Sequence, residues 1–164
     1  MKTILAFFTA ITFIMTLTAC NEPENRVLED DLETIMEDIL TDEELSDESF
    51  FEGLTIEEVR DDKVEWHLGT DDVSFEKAVS AVPAMSTTPF ELTLIRANAN
   101  QDVSALKDTI EEHADPLKWG SFTVDPENVL VDNIGDVVIL IMSDDFIEDL
   151  HVSFERLKET GKNE

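Results

Sequence analysis

The clearest order lies in the second half of the chain. Phe90–Arg96, FELTLIR, alternates: Phe90, Leu92 and Leu94 point one way, Glu91 and Thr93 the other. That is the period of a strand. Phe75–Val82, FEKAVSAV, suits a strand as well, and the breaker-rich PAMSTTP of 83–89 connects the two. Asp102 is placed to cap a helix running to about Ala114, with Val103, Leu106 and Ile110 as its apolar stripe and Asp115-Pro116 as its stop. Val129–Ile134 and Val137–Met142 read as two more strands around Asn133-Ile134-Gly135-Asp136. The second holds VVILIM, six consecutive apolar residues, as a central strand would. Asp144 or Asp145 then opens a last helix whose buried face is Phe146, Ile147, Leu150, Phe154 and Leu157. From Glu159 the chain is polar.

The first half is patterned differently. Leu28, Leu32, Ile35, Met36, Ile39 and Leu40 recur at spacings of three and four among acids, which predicts an acidic amphipathic helix of about four turns. Residues 41–74 are ambiguous. They contain two short apolar knots, Phe50-Phe51 and Val64-Glu65-Trp66. Thr55-Ile56-Glu57-Glu58 has the form of a capped helix start, with Glu58 reaching back to Thr55. The expected fold is α+β: a four-stranded, mainly antiparallel sheet in ββαββα order, helices on one face, preceded by the acidic helix. The expected divisions are a leader at 1–19, a tether at 20–26, an acidic helical or linker region at 27–74, a globular domain at 75–158 and a polar tail at 159–164.

The N-terminus carries an address. After Lys2, residues 4–19 hold no charge, a run of 16 that is short for a spanning helix, which needs about 20. A positive start, a short apolar core and a small residue before a cut are the marks of a secretory leader. This one ends in Leu17-Thr18-Ala19-Cys20, with the chain's only cysteine last. The four residues resemble the lipobox of bacterial lipoproteins. The resemblance implies a diacylglyceryl group on the Cys20 sulfur and cleavage between Ala19 and Cys20. It also implies attachment through lipid at the outer face of the cytoplasmic membrane. A cysteine suits the role because a thiolate is a strong nucleophile. One acyl chain binds a membrane only marginally. At about 0.8 kcal/mol per methylene, two chains of about fourteen methylenes contribute roughly 20 kcal/mol.

Charge narrows the partners. The net charge is −28, and loss of residues 1–19 removes Lys2 and no acid, leaving −29. So negative a chain excludes nucleic acid, whose phosphates require Lys and Arg, and does not lie flat on anionic lipid. It fits three readings: solubility in a salty or alkaline habitat, steering toward a basic partner, or weak binding of divalent cations such as calcium.

Candidate chemistry is sparse. His67, His113 and His151 are far apart and form no H-x-x-H or H-E-x-x-H pattern, so they read as surface or helix-end residues. There is no G-x-S-x-G around Ser86, Ser121 or Ser143. Asp61-Asp62, Asp71-Asp72 and Asp144-Asp145 fall in no D-x-[DN]-x-[DN]-G loop. With 39 acids, some pair will stand at a glycosidase-like separation by chance. Lys118 is conspicuous as a cation in an anionic chain. Trp119 beside it either caps the edge of the core or joins Lys118 in a recognition surface.

One further resemblance covers about residues 75–157. The EL-T-IR strand, the turn Ala114-Asp115-Pro116-Lys118-Trp119, the Asn133-Ile134-Gly135-Asp136 hairpin and the apolar strand after it are similar to those of uncharacterised lipoproteins of Gram-positive bacteria. These share a lipobox and a C-terminal domain of unknown function. The resemblance implies the anchor and the domain, and brings no catalytic residue, metal or cofactor. The expectation is a lipid-anchored, non-catalytic binding or accessory module working with an envelope protein. The alternatives are a small envelope hydrolase using carboxylates and a weak divalent-cation binder.

Overall fold

The structure is a computed structural model that describes residues 28–43, 45, 48–84 and 88–160. Leu17, Thr18, Ala19, Cys20, the tether and Ser86 lie outside the described residues. Five helices, labelled α1 (Leu32–Leu40), α2 (Glu48–Phe51), α3 (Val64–Leu68), α4 (Val103–His113) and α5 (Ile147–Thr160), accompany five strands. The strands are β1 (Leu54–Glu58), β2 (Lys77–Pro83), β3 (Glu91–Arg96), β4 (Val129–Ile134) and β5 (Val137–Met142). They form one antiparallel sheet in the order β1-β2-β3-β5-β4.

The fold is α+β, with two corrections to the expected layout. The first is the fifth strand. Thr55-Ile56-Glu57-Glu58 is not a helix start but the edge strand β1, pairing Thr55 with Val82 and Glu57 with Ser80. Leu54 and Ile56 alternate inward onto the core while Thr55 and Glu57 face water. The period of two wins over the capping signature because β2 is there to accept the ladder. Glu57 and Glu58 put charge on an open sheet edge, which discourages pairing with another chain.

The second correction concerns the layers. Helices cover both faces of the sheet, not one. On the first face α1 and α5 pack over Val79, Ala81, Leu92, Leu94, Ile139 and Ile141. Phe50, Phe51, Phe90 and Phe146 close one end of that core, with ring centroids between 4.9 and 5.5 Å apart. On the second face α3 and α4 pack over Ala78, Ile95, Val138, Leu140 and Met142. All six residues of VVILIM are therefore buried. A strand covered on both sides reads as a continuous apolar run, without alternation.

The helix ends follow their capping residues. The carboxylate of Asp31 accepts the Thr34 amide at 2.9 Å, and that of Asp102 accepts the Ala105 amide at 3.1 Å. Each satisfies an amide that the first turn leaves without a partner. Helix α1 begins at Leu32, so Leu28 packs on the core just ahead of it. Among the described residues no helix is long and apolar enough to cross a membrane.

Candidate functional site

Glu91 opens β3 on the second face, paired with Met142 of β5 and beside Ser80 of β2. Its side chain is 4% exposed. A bare carboxylate there would be costly, because burial disfavours the charged form. Four donors surround it. His67 Nδ1 lies 2.9 Å from Oε1, and Ser80 Oγ and Thr93 Oγ1 donate to the same oxygen at 2.8 and 2.5 Å. Lys118 Nζ reaches Oε2 at 2.5 Å. Burial pushes the Glu91 carboxyl up, but the His67 hydrogen bond and the Lys118 charge outweigh it. Its pKa falls from 4.5 to about 2.

Two local structures bring these donors in. His67 and Trp66 sit on α3, a single turn that a 3₁₀ turn at Asp61–Lys63 leads into and Gly69, at φ +79°, ends. Lys118 and Trp119 sit on the loop after α4. The Asp115 carboxylate accepts the Leu117 amide at 2.9 Å, and Val124 N–H closes the loop onto the Pro116 carbonyl at 3.0 Å. The ammonium of Lys118 bridges the two, donating to the Trp66 carbonyl at 2.8 Å. It stands 5.4 Å from the Trp66 ring centroid and 4.8 Å from that of Trp119, within cation–π range of both. Beside it is a cavity of about 100 Å³ lined by His67, Ser80, Phe90, Glu91 and both tryptophans.

Lys118 is thus not the surface cation its sequence context suggests. Its side chain is 5% exposed. Trp119 is partly buried against the second core. The outward-facing member of the group is Trp66, 47% exposed.

A second polar cluster lies between β4 and α5. Asp132 pairs with Lys107 at 3.1 Å and with His151 Nε2 at 2.9 Å, and Glu155 is close by. Burial raises the Asp132 pKa, and hydrogen bonds from His151, the Asn133 backbone and Lys107, with the Lys107 charge, bring it down to about 2. Asp132, His151 and Glu155 could each offer one ligand atom within 4.8 Å of the others. Lys107 already supplies a positive charge there, and Lys158 pairs with Glu155 at 2.9 Å. Of the paired aspartates, Asp62 pairs with Arg60 at 3.2 Å. Asp144 clasps a loop, accepting from the Asp125 amide and the Asn128 side chain, each at 2.8 Å.

No family model matches the chain, and neither a curated protein nor a solved structure is detectably similar to it. Of the residues that stand out in the sequence, Lys118, Trp119 and His67 converge on one site. His113 does not: its ring bonds the Thr109 carbonyl at the end of α4. The residue that sequence reasoning missed is Glu91. Its only signal was a glutamate opening an apolar strand, which reads equally well as a polar, solvent-facing position.

Proposed function

We propose that this chain is a lipid-anchored extracytoplasmic protein, one of the Gram-positive envelope lipoproteins it resembles, and that its domain binds a partner rather than catalysing a reaction. The anchor rests on Leu17-Thr18-Ala19-Cys20 closing an uncharged run of 16 residues. The binding role rests on the geometry of Glu91, whose two oxygens are taken by His67, Ser80, Thr93 and Lys118. A carboxylate acting as general acid must be held protonated near neutral pH, its pKa raised. Glu91 is shifted the other way, and both its oxygens are engaged. Its work is to seat α3 and the 115–124 loop against the sheet, which presents Trp66 to solvent. The acidity favours a basic partner over membrane or nucleic acid.

Cys20→Ser is expected to abolish incorporation of labelled palmitate and to leave unprocessed precursor or shed protein. The measurement is metabolic labelling with membrane fractionation. A Cys20→Ser chain that is still processed and lipid-labelled refutes the anchor. In-cell crosslinking of the anchored form, with the shed form as control, tests the partner. A discrete envelope protein captured only by the anchored form is the expected result. Turnover of a glycan or ester substrate that disappears in Glu91→Gln would overturn the binding role in favour of a hydrolase.

A further inference from the structure

Trp66 is a ridge between two grooves. One is lined by Glu57, Glu58, Arg60, Lys63, Trp66 and His67, the other by Asp62, Lys63, Glu65, Trp66, Asp115 and Lys118. Their volumes are about 260 and 410 Å³. Five carboxylates wall them. Of the cations between, Lys118 is committed to Glu91 and Arg60 pairs with Asp62; Lys63 lines both grooves but offsets only one carboxylate, so the balance of the walls is negative. Two more exposed apolar side chains, Leu117 and Phe122, stand on the loop that carries Lys118. The described residues have four large exposed hydrophobics, so one loop and the helix it touches hold three of them. An exposed aromatic set among carboxylates is complementary to a ligand that is both cationic and apolar. A cation can stack on the outer face of Trp66, as Lys118 already does nearby.

Arg96 ends β3 and donates to the Leu28 carbonyl at 3.0 Å and to the Asp30 carbonyl at 2.7 Å. Leu28 and Asp30 therefore lie at the Arg96 end of the strand, on the α1 face. Glu91, beneath Trp66, is at the other end, about 17 Å away at some 3.4 Å per residue, and on the opposite face. The grooves thus lie away from Leu28, and their carboxylate walls repel anionic headgroups. This favours a protein over a membrane as the occupant.

We propose that the Trp66 grooves dock a lysine- or arginine-rich amphipathic segment of a partner protein, its basic side chains lying along Glu57, Glu58, Glu65 and Asp115 and its apolar ones against Trp66. This rests on the binding reading above and names the chemistry of the partner.

The test uses the full chain as isolated from cells. The probes are a dye-labelled lysine–leucine repeat peptide of about a dozen residues, its glutamate–leucine counterpart, and vesicles of phosphatidylglycerol and phosphatidylcholine. The lysine peptide is expected to bind, more weakly as salt rises, and the glutamate peptide is not; the lipidated chain enters vesicles through Cys20, so the vesicle arm compares it with Trp66→Ala, which is expected to leave vesicle uptake unchanged. Trp66→Ala should weaken binding about thirty-fold, as loss of a central aromatic anchor does. Trp66→Phe should weaken it only about three-fold. Glu57→Lys with Glu65→Lys should weaken binding about ten-fold. Glu37→Lys with Asp38→Lys, on exposed positions of α1, should change it by less than about two-fold if the site and not overall charge does the binding. Any of three results overturns the proposal: no binding of the lysine peptide, equal effects of the two charge reversals, or vesicle uptake that falls in Trp66→Ala. Palmitate labelling of the same preparation separates the two readings. A labelled chain without peptide binding removes this partner class and keeps the anchor. An unlabelled chain with Trp66-dependent binding removes the anchor and keeps the docking surface.

Discussion

Glu91→Gln is expected to lower the stability of the domain at neutral pH by about 3–5 kcal/mol, the usual cost of removing one partner of a buried ion pair. That corresponds to a fall in Tm of roughly 10–20 °C. The amide preserves shape and still accepts from His67, but it leaves the ammonium of Lys118 inside without its counter-charge. Lys118→Met should cost a comparable amount, by stranding the carboxylate. Glu91→Gln combined with Lys118→Met should cost clearly less than the sum, because both charges leave together. Denaturant titration of the three variants checks this, and additive losses would mean that the pair is not coupled. The pH dependence gives an independent reading. The folded pKa of Glu91, about 2, lies below its ordinary 4.5. Its contribution is therefore present above about pH 4.5 and is lost as the pH falls from there toward 2. The stability difference between the native chain and Glu91→Gln should shrink by about 3 kcal/mol across that window. Only the difference is informative. The chain has 39 acids, and neutralising their mutual repulsion acts on both proteins alike. A difference that stays flat from pH 6 to pH 2 would show that Glu91 is not charged in the fold.

Much of the sheet was legible in the chain. Strands β4 and β5 fall where their apolar runs do, with Gly135 at positive φ in the two-residue turn between them. Helix α4 starts after Asp102 because a carboxylate there satisfies a first-turn amide. The second layer was not legible. Alternation in β3 correctly separates Leu92 and Leu94 from Glu91 and Thr93. It cannot say whether the polar side meets water or protein. Here it meets α3, α4 and the 115–124 loop, contributed by residues distant in sequence. The hydrogen bonds that make burial of Glu91 tolerable come from positions 67, 80, 93 and 118, and no local pattern links those four. Strand β1 was obscured for a related reason: five residues with two glutamates look like a helix start until β2 supplies a ladder.

Gly69→Ala should cost about 4 kcal/mol and loosen the site along with the fold. Gly69 ends α3 at φ +79°, a conformation that costs an alanine about 1–2 kcal/mol on its own. Space adds the rest. A β-carbon on Gly69 would fall 1.8 Å from the carbonyl oxygen of His113 and 2.4 Å from its carbonyl carbon. Those are backbone atoms at the end of α4, and α4 is fixed by Leu106 and Ile110 in the second core, so they cannot yield. Helix α3 must move instead. It carries His67 away from Glu91, and it draws the Trp66 carbonyl and ring off Lys118. Gly120→Ala is the matched comparison. Gly120 has nearly the same φ, +75°, and a β-carbon there would meet nothing within 4 Å. It should cost about 1 kcal/mol, the strain alone. Thermal unfolding of both variants, with tryptophan emission followed in the folded state, separates strain from contact. A large loss and an altered emission for Gly69→Ala alone is the expected pattern. Equal losses would mean that the close approach of α3 to α4 does not hold Trp66 and His67 in place.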